Sequence, residues 1–122
     1  MSSLGNVEVM PPPMGKQIEY EIYYGKTPEE HPEVHLSLGK EDSIHWFCRD
    51  HKFRVLRVDS NDPEAPAPLF YRLFPKDNPD FAYHVHSGPA RWDAWKGKEN
   101  VYKPIFEFEG GEILDPHIRT HK

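Results

Sequence analysis

Thirteen prolines fall along the 122 residues of this chain, against eight glycines. Proline lacks the N–H that helix interiors and central strands use, so it gathers at turns and sheet edges. A chain punctuated this often favours short strands over long helices. Residues 42–58 show the pattern most plainly. Two runs of β-branched and aromatic residues, Ser43–Phe47 and 53–58, flank a polar break at 48–52. That is the form of two strands joined at a tight corner.

The rest of the chain extends the pattern. Residues 17–24 alternate, with Ile18, Tyr20, Ile22 and Tyr24 on one side and Gln17, Glu19, Glu21 and Tyr23 on the other. Such alternation marks a half-buried strand. Residues 34–38 alternate again through Val34, Leu36 and Leu38. The segments 25–33 and 39–42 read as turns, and 60–68 as a surface loop. Residues 69–74 are apolar enough for a buried strand or one helical turn. A turn at 75–80 precedes a strand at 81–87, and 88–100 reads as a loop or short helical turn. Residues 101–109 form a strand interrupted by Pro104, Gly110-Gly111 a hairpin turn, and 113–120 a last strand. Seven or eight short strands and no helix-period segment predict an all-β, antiparallel two-sheet sandwich. Residues 1–16, with three prolines in a row, read as an extended or mobile lead-in, and 17–122 as a single domain.

Charge narrows the partners. The formal net charge is −5, and the fifteen Lys and Arg residues are scattered. No basic stripe follows a phosphate backbone, so nucleic acid is not expected. No apolar run approaches the roughly twenty residues that span a bilayer, so no membrane is expected either. Cys48 stands alone, which excludes an internal disulfide framework. With neither a basic n-region nor an apolar h-region at the start, a cytoplasmic setting is the expectation.

The pattern Gly39-Lys-Glu-Asp-Ser-Ile-His-Trp46, followed by His51-Lys-Phe-Arg-Val55, resembles a strand pair of cupredoxin-like domains. Tyr102-Lys-Pro-Ile-Phe-Glu-Phe108 is similar to a later strand of that fold, and Leu114-Asp-Pro-His-Ile118 to the close of small bacterial examples. The resemblance implies a cupredoxin-like sandwich, with an immunoglobulin-like one as the neighbouring possibility. It does not carry over a blue-copper centre. That site takes two histidines, a cysteine thiolate and usually an axial methionine. His51 stands where the first histidine would fall, but Phe106 stands near the cysteine's place. No cysteine follows Cys48, and no methionine follows Met14.

Two histidine clusters remain as candidate chemistry. His45-x-x-Cys48-x-x-His51 offers imidazole and thiolate at spacings that a turn brings together, although Cys48 also reads as a small buried apolar group. His84-x-His86 puts two imidazoles on one face of a strand, a bidentate arrangement for a metal. The alternative is a polar strand face beside the Gly88-Pro89 turn. A cupin-type enzyme would want a glutamate four or five residues after the second histidine, where Ala90 and Arg91 stand. Were His51 and His117 to join His84 and His86, the four would form a mononuclear copper or zinc site.

No Gly-x-Ser-x-Gly elbow, His-Glu-x-x-His or phosphate-binding loop occurs, so an enzyme is not favoured. Trp92 and Trp95, beside Arg91, suit a partner-binding surface, because Trp and Arg are enriched at interface hot spots. The leading expectation is a non-catalytic interaction module, cofactor-free, docking a protein partner or a second copy of itself. The histidine metal site is its alternative.

Overall fold

A computed structural model describes residues 15–61, 69–70 and 80–122. Residues 1–14 of the expected 1–16 lead-in, most of the 60–68 loop and the 71–79 stretch lie outside these residues. Within them the chain is all-β. Eight strands are formed: β1 (Gln17–Glu21), β2 (Val34–Ser37), β3 (Ser43–Phe47), β4 (Phe53–Ser60), β5 (His84–His86), β6 (Val101–Phe108), β7 (Ile113–Leu114) and β8 (Ile118–His121). Single 3-10 turns at Pro28–Glu30 and Trp92–Ala94 are the helical pieces among the described residues. No helix among them is long and apolar enough to cross a membrane.

The strands form two packed sheets. One has the order β1-β3-β5; the other has the order β2-β8-β6-β4, with β7 also on β6. The sandwich expectation holds, but the pairing is mixed rather than wholly antiparallel. β1 runs parallel to β3, and β2 parallel to β8. The cause is the route of the chain. From β1 to β4 it changes sheet at every corner, so β1 and β3 are separated by one strand of the opposite sheet. Two reversals restore the original direction, and the crossover that any parallel pair requires is supplied by that strand.

Alternation selects what is buried. Tyr20, Ile44 and Trp46 face inward from the small sheet, and Val34, Leu36, Phe53, Val55, Tyr102, Phe106 and Ile118 from the large one. Trp46 spans the interface, with its ring edge-on to Phe106 at 5.4 Å and to Phe70 at 6.1 Å. Edge-to-face aromatic pairs at this separation are favourable beyond their buried area.

Pro104 does not interrupt β6, contrary to the sequence expectation. Along β6 the polar groups alternate sides: the Val101 carbonyl accepts from Asn61 beyond β4, while the Phe108 N–H donates to Glu112 on the β7 side. By that alternation the nitrogen of Pro104 points toward β7 and β8. Yet β8 pairs only with Val101 and Tyr102, and β7 only with Phe106 and Glu107. The missing N–H therefore faces a gap in the ladder, where nothing needs it. The last predicted strand is likewise divided, with Asp115-Pro116-His117 separating β7 from β8. Gly110 and Gly111, both at positive φ, make the expected turn into β7.

Ser87 fixes the edge of the small sheet. Its hydroxyl accepts the Ile44 N–H at 2.9 Å and donates to the Gly88 carbonyl at 2.6 Å, while its own N–H donates to the Ile44 carbonyl. These bonds pin β5 to β3. Ser87→Ala would leave the buried Ile44 N–H without its acceptor, so a loss of about 1–3 kcal/mol in urea-unfolding stability is expected.

Candidate functional site

Because Ile44 and Trp46 point into the core, His45 and Phe47 must point out. The register then decides their neighbours. The parallel β1 ladder sets Glu19 beside His45 and Glu21 beside Phe47. The antiparallel β5 ladder sets His86 beside His45 and His84 beside Phe47. The outer face of the small sheet thus carries three imidazoles from two strands, with a carboxylate row along one side.

These rings touch. His45 and His86 stack at 4.2 Å with planes 10° apart, and His45 and His84 lie 5.1 Å apart. The Glu19 carboxylate, 2.7 Å from His45 Nδ1, can only accept, so it holds the proton on Nδ1. In the neutral ring His45 Nε2 is then a lone pair, facing His84 Nδ1 at 2.9 Å. The Gln17 amide donates to His86 Nδ1 at 3.3 Å. Beyond Phe47, Arg49 covers its ring and pairs with Glu21 at 2.7 Å.

The electrostatics favour a neutral His86. His86 is held below the usual imidazole value of 6.5, first by burial against its stacked neighbour, then by the nearby charge of His45. Glu19 opposes the shift and His84 adds to it. A neutral imidazole is the form that binds a metal.

The four-histidine set expected from sequence does not close on one ion. His84 and His86 come together, but with His45. His51 lies in the β3–β4 turn, stacked on Tyr24 at 3.7 Å. His117 lies before β8 and lines a pocket of about 120 Å³ with Pro28, Glu29, His31 and Glu33. The motif His45-x-x-Cys48-x-x-His51 is likewise divided, with His45 on the outer face and the other two at the turn. Among the described residues, the one group of three metal-ligating side chains with donor atoms all within 4.8 Å of one another is Cys48, Asp50 and His51. The outer-face imidazoles meet as pairs. Exposed rings reorient in nanoseconds or less, so rotation of His84 or His86 is what an ion there requires.

Other histidines hold the fold. His31 is buried, accepting the Tyr23 N–H at Nε2 and donating from Nδ1 to the Thr27 carbonyl. His35 Nδ1 and His121 Nε2 meet at 2.7 Å across the β2/β8 pair, and Glu99 binds the far side of His121. This pair borders a pocket of about 320 Å³, lined also by Lys16, Ser37, Lys40 and Asp42.

The tryptophans divide. Trp92 is 62% exposed, whereas Trp95 packs against the core. Arg91 grips Asp93 through Nε at 3.0 Å and Nη2 at 2.7 Å. A partner surface there would consist of Trp92 with this clamp, not of two tryptophans.

No protein-family model matches the chain, no curated protein matches it, and no solved structure matches it.

Proposed function

We propose that the chain is a metal-binding β-sandwich module whose outer sheet face takes up Zn²⁺ or Cu²⁺ through His45, His84 and His86. The observation that carries this is the state of His45. Glu19 fixes its Nδ1 proton, which in the neutral ring leaves Nε2 as a lone pair directed at a second imidazole, with a third stacked alongside. A carboxylate that orients a ligating imidazole in this way raises its basicity and is a recurrent partner of bound zinc. Imidazole donors suit zinc and copper over calcium and magnesium.

Binding rather than turnover is the role we assign. Small-molecule chemistry draws on concave sites that enclose the substrate. Here the donors stand on a sheet face, with His84 and His86 exposed. The scaffold is read as cupredoxin-like, because the segments carrying that resemblance form β3, the start of β4, and β6. Metal would then sit on the outside of one sheet rather than at a blue-copper position.

Substoichiometric Cu²⁺ added to the full chain tests the assignment. Paramagnetic broadening of imidazole NMR signals is expected first at His45, His84 and His86, while the buried His31 stays sharp. Broadening spread evenly over the exposed histidines would sink the site.

A second reading is favoured by Trp92. A large, exposed indole fixed on a 3-10 turn has the character of an interface anchor, and the module would dock a protein or a second copy through it.

A further inference from the structure

The turn between β3 and β4 gathers a different donor set. Cys48 leaves the end of β3 pointing inward and is 2% exposed. Asp50 and His51 follow within three residues and fold back over it. Asp50 Oδ1 lies 3.5 Å from Cys48 Sγ and 3.1 Å from His51 Nδ1. Ligand atoms held about 2.0–2.3 Å from one zinc ion in a tetrahedron stand roughly 3–4 Å from one another. Both Asp50 spacings fall in that range, and all three donor atoms lie within 4.8 Å of one another.

A second observation points the same way. His51 Nδ1 is sealed from solvent and lacks a well-aligned hydrogen bond, with the Asp50 carboxylate 3.1 Å away as its ion-pair neighbour. A buried nitrogen so poorly aligned with its acceptor is incompletely satisfied, and an ion between the two would satisfy both. The ring is also held in place, face-on to Tyr24 at 3.7 Å and edge-on to Phe108 at 6.4 Å. On the other side the Asp50 side chain is 74% exposed, which gives an ion a way in from solvent.

We propose that this turn is a thiolate-containing Zn²⁺ site, with Cys48 Sγ, Asp50 and His51 Nδ1 as ligands and water in the fourth position. Thiolate with imidazole selects zinc over calcium or magnesium. Binding breaks the Cys48 S–H bond. The proton passes to solvent, the sulfur electron pair forms the Zn–S bond, and nothing is oxidised or reduced. Without metal, burial first and Asp50 second push the thiol up, against backbone N–H groups of Asp50 and His51 that pull it down. This site shares no residue with the outer-face imidazoles and stands whether or not those bind.

Co²⁺ titration of the full chain is the test. One equivalent is expected to produce a thiolate-to-cobalt charge-transfer band in the near ultraviolet, which excess Zn²⁺ removes. Cys48→Ser should abolish the band, and His84→Ala/His86→Ala should leave it intact. Asp50→Asn, at an exposed side chain, should weaken Co²⁺ at this site by about tenfold or more with an unchanged urea midpoint. No band in the folded wild type, or a band that survives in Cys48→Ser, overturns the proposal. Should Cys48→Ser fail to fold, Asp50→Asn decides, and unchanged affinity there overturns it equally.

Discussion

Replacing His84 and His86 together with alanine is expected to weaken Zn²⁺ binding at the outer face by about 100-fold or more. Loss of one outer partner of a metal ligand already costs roughly 10–100-fold, and this change removes two of three proposed ligands. The metal-free protein should keep its stability, because both side chains are exposed and surface changes mostly stay within about 0.5 kcal/mol. Calorimetric titration across pH supplies a second readout. His86 is depressed from 6.5, chiefly by burial, so its lone pair stays free below that value. The part of the wild-type affinity that His86 supplies should therefore be lost only below about 6.5, as that ring protonates. Folding follows the same sign. With the native pKa lowered, the unfolded chain takes up the proton first. The contribution of His86 to stability is present above 6.5 and lost as pH falls through the native value. Equal Zn²⁺ affinity in the double variant and the wild type would end the outer-face assignment.

What sequence could reveal here depended on distance along the chain. The alternation at residues 17–24 gave β1 and its inward face directly, because period 2 is a local property. Gly110-Gly111 gave its turn for the same reason. Cys48 and His51 were legible as neighbours in one turn, but spacing also drew in His45, which the strand turns away, and passed over Asp50. The outer-face site was not legible. His84 and His86 announce a shared face, but their third imidazole lies 39 residues earlier, and Glu19 is 26 residues from His45. Only the β1/β3 and β3/β5 registers join them, and no local pattern states a register. His51 and His117 were drawn into that set by residue type alone. The parallel pairs were hidden for a related reason, because each strand signals its own faces and not which sheet the chain enters next. Trp92 and Trp95 show the limit most simply. Three positions apart in a short turn, one is exposed and the other packs on the core, and spacing alone does not say which.

The same difference between tryptophans sets the largest stability effect. Trp46→Ala is expected to cost about 3–5 kcal/mol, the range for emptying a large aromatic site in a close-packed core. Trp46 is 1% exposed, and its ring meets Phe106 of the opposite sheet and Phe70, which lies between β4 and β5 and bridges to Ala90, so its loss opens the interface between the layers. Most single domains are stable by only about 5–15 kcal/mol, so this variant should unfold at a urea concentration lower by roughly 2 M. Trp92→Ala removes the same atoms from a residue 62% exposed and should cost no more than about 0.5 kcal/mol. The pair separates burial from residue type, because the chemistry of the change is identical and only the surroundings differ. Equal costs at the two positions would mean that β3 does not pack against β6 as described. The inward alternation that turns His45 toward solvent would then fall with it, since Trp46 and His45 are adjacent on one strand and only one of them can face the core.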